Sequence, residues 1–302
     1  RGLGDVYKRQ ALDGHFVVEQ LARNRAGLFM NFNGTAGVWR RRCIEDAGGW
    51  QKDTLSEDLD LSYRAQLKGW QCLFLPDVVA PAEIPPQLNA FKRQQYRWAK
   101  GSIQCLLKLG PRLLRSSQPW FRKLEGIIHL SGYLIHPLMV VMLLLTLPML
   151  LWDVHIQLPL AYLSLASLGP PLLYTFSQKA LYRNWLKNLA CLPLLVFLGM
   201  GVALNNTKAV WEALANKKSE FGRTPKFRLY EHYGQWARSR YALPFDGLIA
   251  GELALALYAL ATVVTAFLKG HFFAIPFLCL YLGGFGYVGV LGLWHSLLPR
   301  LH

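Results

Sequence analysis

Leu55-Ser56-Glu57-Asp58-Leu59-Asp60 is the stretch on which the reading of this chain turns. The acidic cluster lies between two glycine-tryptophan turns, Gly48-Gly49-Trp50 before it and Gly69-Trp70 after it. Leu59, Tyr63 and Leu67 then recur at four-residue spacing, as one buried face of a helix does. Asp58 therefore stands at or just inside a helix N-terminus, where unpaired backbone N–H groups favour a carboxylate. Read alone, Ser56, Glu57 and Asp58 do no more than cap that helix. The second reading, a carboxylate base at the lip of a cleft, needs support from elsewhere in the chain.

That support comes downstream. Pro85-Pro86 opens a helix predicted from residue 87 to about 109, and Gln94-Gln95-Tyr96-Arg97-Trp98 lies on it. Gln94, Arg97 and Trp98 fall at i, i+3 and i+4 and share one face. A guanidinium forks two phosphate oxygens and an indole stacks on a pyranose, so this face suits a diphosphate and a sugar. The competing reading is an interface helix with a snorkelling arginine and an anchoring tryptophan. Upstream, the pattern predicts a helix over 13–25 and a short core strand over 28–32, which runs into Asn33-Gly34-Thr35-Ala36-Gly37. Such a small-residue turn lets backbone approach a ligand closely, and a plain turn between strands accounts for it equally well. A helix over 43–48 and a strand over 71–76 complete the soluble part.

The apolar residues, 53% of the 302, are unevenly placed, and only 17% of the chain is charged. Residues 126–206 and 245–299 are long apolar runs, whereas 11–125 reads as a mixed globular fold. Net charge is +15, with 20 Lys+Arg against 12 Asp+Glu in residues 1–125 and eight against three in 207–243. Basic residues gathered at the flanks of apolar runs mark the cytoplasmic face of a membrane protein and point to anionic lipid and phosphorylated substrates. No nucleic-acid motif is present. Spans are predicted over 126–151, 157–178 (kinked at Pro170-Pro171), 247–268 and 272–297, after an amphipathic helix over 111–125 lying in the membrane surface. Residues 186–206 are expected to form a bent, embedded helix that returns to the cytoplasmic side. A full crossing would put the basic 207–243 loop outside.

The five cysteines (43, 72, 105, 191 and 279) are odd in number and lack any C-x-x-C pair, so they read as free thiols in a reducing compartment. Asn33-Gly34-Thr35 and Asn205-Asn206-Thr207 match the glycosylation triplet but are discounted, since both fall on the cytosolic side of this topology. Asp5-Val-Tyr-Lys-Arg-Gln10 corresponds to what a transposase adapter used in DNA library preparation encodes in frame. Residues 1–10 are therefore read as an adapter-derived scar, and the natural protein is expected to begin further upstream.

Taken together, Phe32-Asn-Gly-Thr35, Ser56-Glu-Asp58 and Gln94-Gln-Tyr-Arg-Trp98 resemble the second half of a family 2 membrane glycosyltransferase, in particular the cellulose-synthase-like mannan and xyloglucan-backbone synthases. The resemblance implies an inverting, processive β-glycosyltransferase that polymerises sugars from a nucleotide-sugar donor and extrudes the glycan. Its fold would be α/β GT-A, of which residues 11–110 form the C-terminal half, followed by an α-helical transmembrane domain over 126–302. The catalytic domain would face the cytoplasm of an inner or plasma membrane. Asp58 would be the base that deprotonates the acceptor hydroxyl while the nucleotide leaves from the opposite face, so that an α-linked donor gives a β-linkage. Trp98 would hold the acceptor sugar, Gln94 and Arg97 would line the donor diphosphate and acceptor, and Glu57, Asn33, Gly34 and Thr35 would join them. Phe221-Gly-Arg-Thr-Pro-Lys226 resembles the gating loop of bacterial cellulose synthases, matching at Phe221, Thr224 and Lys226, with Arg223 in place of a valine.

Ser56 stands where the family has threonine. The family's D-x-D metal and nucleotide motif is expected in a preceding N-terminal half, together with the Mg²⁺ or Mn²⁺ of the full-length enzyme. Asp58-Leu59-Asp60 has those letters but lies within the triad motif, so no metal is assigned to it, and the chain by itself is expected to be inactive. The partners implied are a UDP-glucose or GDP-mannose class donor, a growing glycan and the bilayer, with no nucleic acid. Two alternatives are carried: a single-transfer enzyme acting on a lipid acceptor, and a non-enzymatic channel in which Glu252, inside a predicted span, lines a transport path.

Overall fold

The computed structural model describes residues 3–34, 36–154, 168–219 and 245–297. Its central element is a 28-residue helix, α5 (Leu88–Arg115). Around it lie α1 (Leu3–Asp13), a π-helical segment (Gly14–Gln20), α2 (Leu21–Arg25), α3 (Arg41–Asp46) and α4 (Glu57–Leu67) on the N-terminal side. After it come α6 (Trp120–Ser131), α7 (Ile135–Leu151), α8 (Gly169–Leu181), α9 (Trp185–Leu189), α10 (Leu192–Gly201), α11 (Ala203–Leu214), α12 (Leu248–Leu268) and α13 (Ile275–Leu297). α5 begins just after Pro85-Pro86 at an extended Gln87 and outruns its predicted end by passing through Pro111. The carbonyl that Pro111 deprives of an N–H belongs to Leu107, which is exposed, so water can serve it.

One stripe of α5, residues 92, 96 and 100, faces the helices behind it. Lys92, fully buried, pairs with Glu252 Oε1 at 2.7 Å and with Asp246 Oδ2 at 3.2 Å. Lys100, also fully buried, reaches Glu212 Oε2 at 3.1 Å, and Tyr96 shares that carboxylate. Asn205 of α11 donates to the Lys92 carbonyl at 3.0 Å, so this asparagine of the second glycosylation triplet is packed inside. The first turn of α5 sits against the end of α13, where the Leu88 N–H meets His295 at 3.1 Å and Asn89 meets Ser296 at 3.2 Å.

Among the described residues four helical runs are long and apolar enough to cross a membrane: Trp120–Leu151, Trp185–Leu214, Leu248–Leu268 and Phe272–Leu297. At the end away from α5, Lys269 bonds Asp153 at 2.9 Å and so ties the ends of α7 and α12 together. The run Trp185–Leu214 is broken into α9, α10 and α11; near its start Gln10 of α1, two residues from the Lys8 that bonds Pro85, donates to the Asn188 carbonyl at 2.6 Å. Leu195 and Leu198 pack with Leu88, and Glu212 meets Lys100. Between them Gly201 crosses α13 so closely that a Cβ would come within 2.3 Å of the Gly284 carbonyl oxygen.

Three expectations change here. The surface helix over 111–125 is divided: residues 111–115 finish α5, and Trp120 opens α6, which leads into the first apolar run. Of the span expected over 157–178, residues 157–167 lie outside the described residues. Pro170-Pro171 does not kink the remainder but stands in the first turn of α8, where proline fits without losing a bond. α8 packs on the π segment, where Leu173 and Tyr174 crowd Gly14. Residues 3–10, left out of the expected fold, continue the predicted 13–25 helix backwards as α1, and Lys8 bonds the Pro85 carbonyl at 2.9 Å.

One core cluster joins Phe29, Tyr63, Cys105, Leu109, Leu113 and Leu130, with the Phe29 and Tyr63 rings stacked at 4.9 Å. No strand occurs among the described residues, so the α/β character expected of a GT-A fold is not seen there. The physical reason is visible at residues 29–32, whose backbone groups are taken by side chains instead of a neighbouring strand. Gln66 both donates to the Met30 carbonyl (2.7 Å) and accepts from its N–H (3.0 Å). Gln20 donates to the Asn31 carbonyl at 2.9 Å, and Ser62 accepts from the Phe32 N–H at 2.9 Å. Over 71–76, Leu73 and Leu75 are exposed and no ladder forms.

Candidate functional site

Asp58, Ser62 and Gln66 occupy one face of α4 at i, i+4 and i+8. They bond in order to Gly34, Phe32 and Met30 of the facing segment. Four helical residues rise about 6 Å and two residues of an extended chain about 6.6 Å, so the two elements stay in register over three steps. The last step matters for chemistry: the Gly34 N–H donates to Asp58 Oδ2 at 3.0 Å. Gly34 has φ +63°, a conformation that favours glycine, and a Cβ there would meet no neighbour. Asp58 Oδ1 accepts the N–H of Leu59 at 2.8 Å. The carboxylate is thus oriented from two sides while remaining half-buried, accessible to a substrate.

Ser56 occupies the N-cap position of α4, yet its side chain makes no cap hydrogen bond. It is pressed against α5 at Gly101, where a Cβ would come within 2.7 Å of the Ser56 backbone nitrogen. Gln104 Oε1 accepts the Leu55 N–H at 2.8 Å. Gly101 and Gln104 continue the face of α5 that carries Gln94, Arg97 and Trp98 one to two turns earlier. The acidic cluster thus meets the turn at Gly34, and the start of α4 rests on α5 one to two turns beyond Gln94, Arg97 and Trp98. Glu57, Gln94, Arg97 and Trp98 are all half-buried.

Asp60 takes no part. It is fully buried and paired with Arg64 at 2.7 Å and Lys108 at 2.8 Å, on the far side of α4 from Gly34. Asp58 and Asp60 cannot grip one cation together, and no group of three or more His, Cys, Asp or Glu among the described residues could hold a metal. Cys105, buried beside Ser56, has its thiol pushed up to about 12, by burial first and by Asp60 next. Its thiolate is suppressed, so it is not a nucleophile. All five cysteines are free.

Thr35, Phe221, Thr224 and Lys226 lie outside the described residues. The chain on either side of 220–244 is held by α5: Ser219 bonds Lys100, and Asp246 pairs with Lys92.

Other members of the site were not foreseen. His15 and Glu19 on the π segment bond each other at 2.9 Å, and Arg23 bonds Glu19 at 3.0 Å. Burial raises the Glu19 pKa, but the His15 hydrogen bond and charge, with Arg23 and His129, outweigh it and bring it to about 2. The spacing of four along 15, 19 and 23 was a readable signal, as was that of 58, 62 and 66.

Residues 12–204 match the family model described as glycosyl transferase family group 2. The chain is similar to glucomannan 4-beta-mannosyltransferase 2 of Arabidopsis thaliana, 39% identical over 122 residues, which cover 40% of this chain and 23% of that protein. It is likewise similar to the probable glucomannan 4-beta-mannosyltransferase 4 of Oryza sativa subsp. japonica, 41% identical over 36% of this chain and 20% of the relative. Glucomannan 4-beta-mannosyltransferase 1 of the same rice is 41% identical over 37% and 21%. The matched part of the chain thus spans between 20% and 23% of the length of these relatives.

Proposed function

The chain belongs to glycosyl transferase family group 2, among its cellulose-synthase-like members; from that premise we propose that it carries the acceptor side and membrane region of an inverting, processive β-mannosyltransferase. Asp58 takes the proton of the acceptor hydroxyl, Trp98 stacks on the acceptor sugar, and Gln94 and Arg97 face the donor diphosphate. One observation supports this above the others: Gly34 bonds Asp58, and Ser56 abuts Gly101 on the helix of Arg97 and Trp98. A base fixed beside an Arg-Trp face is what acceptor activation opposite a departing diphosphate requires.

The donor class follows from the relatives' names, which favour GDP-mannose over UDP-glucose as the substrate. A divalent ion of the whole enzyme, Mg²⁺ or Mn²⁺, would neutralise the diphosphate; the residues described here do not fit it, and no step is assigned to it. GT-A architecture, a cytoplasmic catalytic face and extrusion of the product through the bilayer belong to the same proposal. So do the division at about residues 11–110 and the adapter origin of 1–10. The embedded course of 186–206 is favoured by Asn188 meeting α1 beside the Lys8–Pro85 contact and by Glu212 meeting Lys100 of α5. A gating role for 221–226 is favoured by the two anchors on α5 that flank it. Against a transport path, the Glu252 carboxylate is occupied by Lys92.

The test is incorporation of radiolabel by the full-length enzyme in membrane vesicles, with GDP-mannose and UDP-glucose supplied separately. A β-linked polymer labelled from GDP-mannose is expected. Label confined to a solvent-extractable lipid bearing one sugar would establish the single-transfer alternative, and no incorporation from either donor would overturn the enzymatic reading.

A further inference from the structure

We infer that His15 is a positioning residue: through Asn33 it holds the turn whose Gly34 N–H orients Asp58. The inference rests on the reading of Asp58 as the base. Gly34 can bond Asp58 only while the turn before it keeps its shape, and that shape is fixed by a small amide cluster. Asn31 Nδ2 donates to Asn33 Oδ1 at 2.8 Å, and Asn33 Nδ2 faces the Asn31 carbonyl at 3.5 Å, which sets the amide orientation. Asn33 Oδ1 therefore points as an acceptor toward His15 Nε2, 3.4 Å away. That contact lies at the long end of the hydrogen-bond range.

The other ring nitrogen decides the chemistry. His15 Nδ1 lies 2.9 Å from Glu19 Oε2, and an ionised carboxylate is an acceptor only. An acceptor therefore faces each ring nitrogen, Glu19 at Nδ1 and Asn33 at Nε2, so the ring bridges the π segment and the turn. Glu19 is itself fixed by Arg23 through its second oxygen, and Arg23 approaches the Phe29 carbonyl at 3.5 Å. Gln20 holds the Asn31 carbonyl at 2.9 Å. The π segment and α2 thus present a row of polar side chains to residues 29–33, and His15 is the one that meets Asn33, next to Gly34. Single-turn π insertions concentrate at functional sites, and Gly14, wedged against Leu173 and Tyr174, sets this one in place.

Two amide substitutions separate positioning from packing, because each keeps one ring nitrogen's place. Gln in place of His15 retains a donor near Nε2, toward Asn33; Asn retains one near Nδ1, toward Glu19. In the full-length enzyme in membrane vesicles, His15→Asn is expected to lower kcat about tenfold or more, with KM for donor within about twofold. His15→Gln is expected to stay within about threefold of wild type. Hydrogen exchange in detergent, which needs no turnover, should be faster at the Gly34-bearing peptide in His15→Asn and unchanged in His15→Gln. Equal loss in both variants, an unchanged His15→Asn, or equal exchange in all three proteins would overturn the inference. Asp58→Asn assayed alongside keeps the two claims apart. Its near-wild-type turnover would remove the base, whereas an inactive Asp58→Asn beside a fully active His15→Asn would remove only the role of His15.

Discussion

The backbone N–H of Gly34 meets Oδ2 of Asp58 at 3.0 Å. It joins a turn and a helix start that are separate in sequence, and Ser56, two residues before Asp58, abuts Gly101 on the helix bearing Arg97 and Trp98.

Gly101→Ala should damage the site from the helix side. The new methyl would lie 2.7 Å from the Ser56 backbone nitrogen, so the start of α4 must move. Overpacking costs about 1–3 kcal/mol, which outweighs the gain of about 1 kcal/mol in helix propensity. Turnover should fall at least about tenfold as Asp58 is displaced. Wild-type turnover and an unchanged melting temperature would show that Ser56 and Gly101 do not set the position of the base.

Lys92→Met should strip Glu252 of its partner while leaving the carboxylate buried beside Asp246. Breaking such a pair from one side costs about 3–5 kcal/mol, whereas replacing both charges is often close to neutral. Thermal unfolding in detergent should therefore show a large loss for Lys92→Met and recovery in Lys92→Met/Glu252→Gln. A single variant as stable as wild type would mean that the pair does not bind α5 to the membrane helices.

The course of Trp185–Leu214 can be read without activity. Single cysteines replacing Lys187 and Lys217, in a background lacking the five native ones, should react with an impermeant maleimide from the same side of oriented vesicles. Reaction from opposite sides would make this run a crossing helix and would put the 207–243 segment on the far side from Lys187.

What the sequence disclosed, and what it hid, follows from the range of the interactions. α4 and α5 were legible because their apolar residues repeat at helical spacing, and the face of Gln94, Arg97 and Trp98 followed from geometry alone. The strand over 28–32 was misread because Phe29 and Met30 look like any buried strand. Periodicity does not reveal that Gln66, Ser62 and Gln20 serve that backbone in place of a ladder. Ser56 looked like a cap, and only the absence of a Cβ at Gly101 explains its actual place. Glu252 looked like a transport carboxylate because its partner Lys92 is remote in sequence and lies on a helix with soluble character. Pairings between distant segments have no local signature.

The most direct test of the account is Asp58→Asn in the full-length enzyme, with sugar transfer and binding of the donor's nucleoside diphosphate measured on the same preparation. Asparagine keeps the shape of the side chain and an oxygen for Gly34 but cannot take the acceptor proton. Transfer should fall by roughly 10²–10⁴-fold with nucleotide affinity within about twofold of wild type. Transfer near the wild-type rate with the variant properly folded would contradict the assignment of Asp58 as the base.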